Sequence, residues 1–261
     1  MSNILTDDGC HIAYEVSGNL SGMPLILSPS LGTSMALFKK QLSDFERYFR
    51  VICYDPRGHG QSDSPLGGYS LDRLGRDVIE ILDFLKLEKA HFCGVSLGGM
   101  TGQWMGYRAP ERLGTLILAN TSAYMPPPSS WADRIAAVLE YGMEPMIEPI
   151  LSRWFTPGFR IEKSESVVAI KTLLETTTPQ GYAGCAAAIR DMDLRITNKL
   201  ITARTCIISG TKDPAMPPEH ASTIADAIPG SEQVHLNAAH LSNVEAAPAF
   251  NAAVLAALLK T

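Results

Sequence analysis

Short apolar runs alternate with longer segments of helical period along this chain. Residues 12–16, 25–27, 51–54, 91–93, 115–118, 205–208 and 233–236 are rich in aliphatic and β-branched side chains, which predicts strands. Between them, residues 71–87 place Leu74, Val78, Ile81, Leu82 and Leu85 on one helical face, and 218–228 and 244–260 read as further helices. The strand runs are continuously apolar rather than alternating. Strands of that kind are buried on both faces, so the pattern predicts an α/β fold with a mostly parallel, doubly wound sheet. In such a sheet the binding crevice lies beyond the carboxyl ends of the strands.

One interval breaks the alternation. Residues 122–202 hold no convincing strand, far more chain than a crossover needs, and open on the stiff run Pro126-Pro127-Pro128. The expectation is a helical cap, 122–202, inserted into a core formed by 1–121 and 203–261. Its first helix is expected to start at Ser130, with Asp133 completing a capping box, and to stop at Gly142. Trp131, Ile135 and Val138 form that helix's apolar face, with Arg134 at its border. Further cap helices are expected over 165–174 and 179–192.

Composition narrows the function classes. At 261 residues, 46% hydrophobic and 19% charged, the chain can bury a full core. A net charge of -5 with no basic run argues against nucleic-acid and anionic-membrane partners, so an anionic substrate needs a local cation. Residues 1–8 carry neither a basic nor an apolar stretch, and no transmembrane-length apolar run occurs; no signal peptide and a cytoplasmic location are expected. Cys53, Cys93 and Cys206 fall within strand runs and read as reduced packing residues. With no metal-ligand cluster or dinucleotide fingerprint visible, no cofactor is expected.

The candidate chemistry begins at Gly94-Val95-Ser96-Leu97-Gly98-Gly99, set between a strand run and a helical segment, 100–108. Strand, tight glycine-flanked turn and helix are what a serine nucleophile elbow requires. A serine hydroxyl is weak at neutral pH and needs a base, which in turn needs an acid to fix its tautomer. On an α/β sheet the expected order is serine, acid, histidine. His240 follows the last strand, in a carboxyl-edge loop, whereas His11, His91, His220 and His235 sit before or inside other elements. Asp213 follows the strand at 205–208; the competing position after 115–119 holds Asn120, which cannot carry the charge. Glu245 and Asp226 read as solvent-facing helix residues, and Asp191 and Asp193 as cap surface. The oxyanion donors expected are the amides of Leu97 and, from the loop Ser28-Pro29-Ser30-Leu31-Gly32-Thr33, of Leu31.

The whole set resembles the α/β-hydrolase superfamily, including the loop Asp55-Pro56-Arg57-Gly58-His59-Gly60-Gln61-Ser62, in which His59 reads as scaffold. Within it, the chain is similar to the 3-oxoadipate enol-lactonases. The motifs that carry this likeness are Ser30-Leu31-Gly32-Thr33, the elbow through Met100, Ala119-Asn120-Thr121-Ser122, Arg153-Trp154-Phe155-Thr156-Pro157, Ile189-Arg190-Asp191-Met192-Asp193 and His240-Leu241-Ser242-Asn243-Val244-Glu245. Pro29 departs from the asparagine that the resemblance leads one to expect. The resemblance implies a five-membered enol lactone with a carboxymethyl arm as substrate. Arg134 would then bind the carboxylate and Trp131 pack on the ring, with Arg190 and Lys212 as alternative cations. A carboxylesterase, a carbon–carbon bond hydrolase or a non-enzymatic ligand receptor of the same fold are the competing readings.

Overall fold

In chain order the elements are β1 (Ser2–Leu5), β2 (His11–Gly18), β3 (Pro24–Ser28), α1 (Lys39–Phe45), β4 (Arg50–Tyr54), α2 (Leu71–Phe84), β5 (Ala90–Val95), α3 (Leu97–Arg108) and β6 (Leu113–Ala119). There follow α4 (Pro128–Tyr141), α5 (Glu144–Trp154), α6 (Pro157–Glu162), α7 (Ser164–Thr176), α8 (Pro179–Asp191), β7 (Thr205–Gly210), α9 (Pro218–Ala227), β8 (Glu232–Leu236), α10 (Ser242–Glu245) and α11 (Ala247–Leu258). These come from a computed structural model that describes residues 2–260.

The strands form one sheet in the order β1-β2-β4-β3-β5-β6-β7-β8. The β1–β2 and β2–β4 pairs are antiparallel and all others parallel. Every residue of β7 is buried, as are nearly all of β3, β5 and β6, which explains their unbroken apolar runs. The edge strand β8 is largely exposed. α1 packs on α11 and α2 on α3, while α3 lies along β5 and β6 and is buried for almost its whole length. All five cysteines are free and buried, and burial pushes the Cys53 thiol up to about 12. Among the described residues no helix is long and apolar enough to cross a membrane.

The chain between β6 and β7 is the helical insertion, and here the observed boundaries correct two expectations. The first helix begins at Pro128, not after Ser130; a proline at the first helical position loses no hydrogen bond there, and Ser130 Oγ donates to the Pro127 carbonyl from inside the first turn. Gly142, at φ 75°, ends it as expected. The second difference is α5, which the sequence hides because Pro145 and Pro149 interrupt its helical pattern. α5 brings Arg153 and Trp154 to the site. At the sequence's far end, the single helix expected over 244–260 is divided into α10 and α11 around Ala246, with Pro248 in the first turn of α11.

At one point the insertion meets the core through bare backbone. A Cβ built on Gly58 would lie 2.4 Å from Gly181 Cα, and one on Gly181 would lie 1.9 Å from the Gly58 carbonyl oxygen. Only glycine on both sides allows α8 to come this close.

Candidate active site

Ser96 caps the N-terminus of α3 directly after β5, at φ 57° and ψ -114°, a conformation costly for a residue with a Cβ. Several contacts hold it there. Its amide donates to the Ala119 carbonyl at 2.9 Å, and its carbonyl accepts from Met100 N–H at 3.0 Å and from Thr121 Oγ1 at 2.7 Å. The flanking glycines are required by packing: a Cβ on Gly94 would sit 2.2 Å from the Gly98 carbonyl group, and one on Gly98 would sit 2.0 Å from the Ser28 carbonyl oxygen. The turn therefore presents Ser96 at the carboxyl edge, at the positive end of α3.

His240 and Asp213 reach the same edge from the loops after β8 and β7. His240 Nδ1 donates to Asp213 Oδ2 at 2.8 Å, with both side chains buried. The other carboxylate oxygen accepts from the amides of Ala215 at 2.8 Å and Met216 at 2.9 Å. Burial alone would raise the Asp213 carboxyl; the His240 charge, together with the hydrogen bonds from His240, Met216 and Asn120, outweighs it and holds the group below the ordinary carboxylate range. With Nδ1–H committed to the carboxylate, Nε2 is the basic nitrogen. Ser96 and His240 line one cavity of about 260 Å³. No hydrogen bond joins Ser96 Oγ to His240 Nε2 among the described residues.

Two supporting residues escape a linear reading. Asn120, at φ 44°, donates from Nδ2 to Asp213 Oδ2 at 3.1 Å and accepts from Ser242 Oγ at 2.5 Å, so the position weighed as a rival to Asp213 is hydrogen-bonded to it instead. Glu245 is not the solvent-facing helix residue expected. Its carboxylate accepts from the amides of Ala239 at 3.0 Å and Thr156 at 3.3 Å and from the Thr156 hydroxyl, joining the His240 loop to the insertion. The Leu241 amide adds a bond to the Trp154 carbonyl at 3.1 Å, and the Trp154 ring lies 6.1 Å from that of His240.

The loop after β3 supplies the opposite wall. Neither the Leu31 nor the Leu97 amide donates to an acceptor among the described residues, and Leu31 lines the cavity. Pro29 does not loosen this loop: its carbonyl accepts from Gly98 N–H at 3.1 Å. Beyond it, the Ser30 carbonyl accepts from Thr33 N–H at 3.1 Å and Thr33 Oγ1 at 2.7 Å, and the Gly32 amide donates to His59 Nε2 at 2.8 Å.

The insertion closes the cavity with Trp131 and Arg134 of α4, Ile150, Arg153 and Trp154 of α5, and Tyr182 and Ile189 of α8. Arg134 lies over the Trp131 ring at 4.9 Å and donates to Tyr182 Oη at 3.4 Å. Arg153 donates to the Pro149 carbonyl at 3.2 Å. Burial, followed by the Arg134 charge, lowers the Arg153 guanidinium below its usual range, so the two cations meet across a partly desolvated space. Neither forms an ion pair with a carboxylate among the described residues, and no acidic side chain lines the cavity. Arg153 is the binding candidate that the sequence reading missed. The alternative cations stand elsewhere: Arg190 is paired with Asp191 at 2.7 Å, and Lys212 borders a separate groove. No group of residues suited to holding a metal occurs among those described.

The sequence profile of the alpha/beta hydrolase fold matches residues 23–247. The chain is similar to 3-oxoadipate enol-lactonase 2 of Acinetobacter baylyi, with 38% identity over 97% of this chain and 95% of that one. Among solved structures it is similar to a hydrolase from Pseudomonas aeruginosa, at TM-score 0.97 and 43% identity over 99% of this chain and 98% of that one. It is equally similar in shape to the enol-lactonase from Burkholderia xenovorans, at TM-score 0.97 and 33% identity over 99% of this chain and all of that one (100%).

Proposed function

The chain belongs to the alpha/beta hydrolase fold family, in the company of the 3-oxoadipate enol-lactonases, and from that premise we propose that it opens 3-oxoadipate enol-lactone to 3-oxoadipate. One observation carries the choice of substrate: in a chain of net charge -5, the cavity that holds Ser96 and His240 has, among the described residues, two arginines without a carboxylate partner and no acidic lining. Such a cavity suits a small anion. Residues 122–202 act in this reading as the cap that shapes it.

Ser96 Oγ attacks the lactone carbonyl carbon as His240 Nε2 takes its proton, and Asp213 stabilises the resulting imidazolium. The Leu31 and Leu97 amides hold the oxyanion, each lowering the barrier by about 3 kcal/mol. As the tetrahedral intermediate collapses, the bond from the acyl carbon to the ring oxygen breaks and His240 returns the proton to that oxygen. The freed enol becomes a ketone, which removes the nucleophile that could re-close the ring. Water, deprotonated by His240, then attacks the acyl carbon and Ser96 departs with the proton. Arg134 and Arg153 grip the carboxymethyl arm, and Trp131 packs on the ring; a charged hydrogen bond of this kind contributes about 1.5–3 kcal/mol.

The test is turnover of the enol lactone beside a neutral aryl ester. Ser96→Ala is expected to cut kcat by about a millionfold on both. Arg134→Ala is expected to raise KM about tenfold or more for the lactone alone; equal effects on both substrates would remove the carboxylate clamp. Quenched-flow mass spectrometry checks the covalent step, since turnover of a slowed variant with no acyl adduct on Ser96 would put direct water attack in its place.

A further inference from the structure

Four buried side-chain atoms find no hydrogen-bond partner among the described residues: Ser30 Oγ, Arg50 Nε, Asn198 Oδ1 and Asn243 Oδ1. Asn198 and Asn243 belong to side chains already held through their amide nitrogens, by Gln103 in the first case and by Leu37 and Gln41 in the second. Of the four residues, only Ser30 lines the cavity that holds Ser96. It is 1% exposed. Burying a hydroxyl without a partner is unfavourable, and nothing in the packing of this loop asks for one there.

The backbone around Ser30 is fixed on both sides. Pro29 is tied to the elbow through Gly98 N–H, and the Ser30 carbonyl is occupied by the amide and hydroxyl of Thr33. The main chain is thus held in place, and Ser30 stands one residue before the Leu31 amide on the lining of the cavity that holds Ser96. We infer that Ser30 Oγ–H is a third donor to the oxyanion, acting beside the Leu31 and Leu97 amides. The hydroxyl keeps its proton throughout: it donates a hydrogen bond to the developing negative oxygen and accepts nothing in exchange. A donor held in place and lacking a protein acceptor needs no rearrangement when that charge appears. The inference rests on the proposed role of Ser96 as nucleophile.

Ser30→Ala tests it with three readouts. Removing one oxyanion donor is expected to lower kcat about tenfold to a hundredfold, with KM changed by less than about twofold. The loss is expected to be the same on the enol lactone and on a neutral aryl ester, because both develop the same oxyanion; a loss confined to the lactone would assign Ser30 to the carboxylate arm and overturn the proposal. The melting temperature is expected to hold or rise, because the variant removes an unpaired buried hydroxyl. Undiminished kcat, or a lower kcat accompanied by a lower melting temperature, overturns it as well. Ser30→Gly is expected to reproduce the same kcat loss on both substrates, and keeps the test decisive should the alanine variant not fold. Ser96→Ala separates the two levels: full turnover in that variant would overturn the nucleophile itself, whereas an inactive Ser96→Ala beside a fully active Ser30→Ala would overturn the Ser30 donor alone.

Discussion

His59 and His240 are buried almost equally, 1% and 2% exposed, each in a loop that follows the carboxyl end of a strand. Their partners differ. His59 Nδ1 donates to the Arg57 carbonyl at 3.2 Å and its Nε2 accepts from the Gly32 amide at 2.8 Å, so backbone saturates both ring nitrogens and fixes a neutral tautomer. Burial drives its titration down to about 4. The loop that holds it is anchored in turn by a bidentate pair between Arg57 and Asp77, both bonds 2.7 Å. His240 has a carboxylate on one nitrogen and a cavity beside the other. Burial alone thus does not set the two rings apart; the carboxylate partner and the cavity do, and they are what the proposed mechanism uses in His240. The two rings still act together, since the His59 brace positions the loop carrying Ser30 and Leu31.

The largest expected effect on this contrast comes from Asp213→Asn. In the variant the amide oxygen stays with the Ala215 and Met216 N–H groups, which turns the NH2 group toward His240 Nδ1. His240 then takes the tautomer protonated on Nε2, and kcat is expected to fall about 10^4-fold; a loss under tenfold in steady-state assays would break the distinction drawn between the two rings. Next is the acid stability of His59. Its folded pKa of about 4 lies below the unfolded 6.5, so below pH 6.5 the unfolded chain takes up a proton that the folded one refuses. The stability this group contributes is therefore complete above pH 6.5 and is lost as pH falls, levelling off near 4, an effect on the order of 3 kcal/mol. Urea titrations across that range are expected to show a flatter pH slope for His59→Gln than for the parent chain, and an unchanged slope would contradict the assignment. The smallest effect sharpens the picture on the His240 side: Glu245→Gln weakens the tie between the His240 loop and Thr156, and is expected to cost about 1 kcal/mol of stability and a few-fold in kcat. A variant altered in stability but not in kcat would make Glu245 a packing residue only.

Much of this arrangement is legible in the sequence. Ser96, Asp213 and His240 each follow a short apolar run, and strand ends in an α/β sheet converge on one edge, so chain order and local pattern were enough to gather them. What stayed hidden depends on contacts between distant segments. Asn120 looks like a failed acid until its amide is seen against Asp213, 93 positions along the chain. Glu245 belongs to a helix of only four residues, too short to show a periodic face, and its partners lie in the insertion and in the turn before it. Arg153 was obscured by the prolines of α5, which argue locally against the helix that presents it. The role of Ser30 is visible only as a missing partner, and no sequence pattern records that.

The backbone contact between Gly58 and Gly181 bears on how such a molecule can change over generations. A helical insertion is a module that recombination could exchange to alter what the hydrolase accepts, leaving the sheet and its chemistry intact. At this point of the seat no side chain intervenes, and backbone is pressed against backbone. A replacement insertion would have to arrive with a glycine at the matching turn of its helix, or Gly58 would have to be met by a shifted helix and a reshaped cavity. The pair therefore filters which foreign helices this sheet can adopt, although neither glycine carries a side chain that could react.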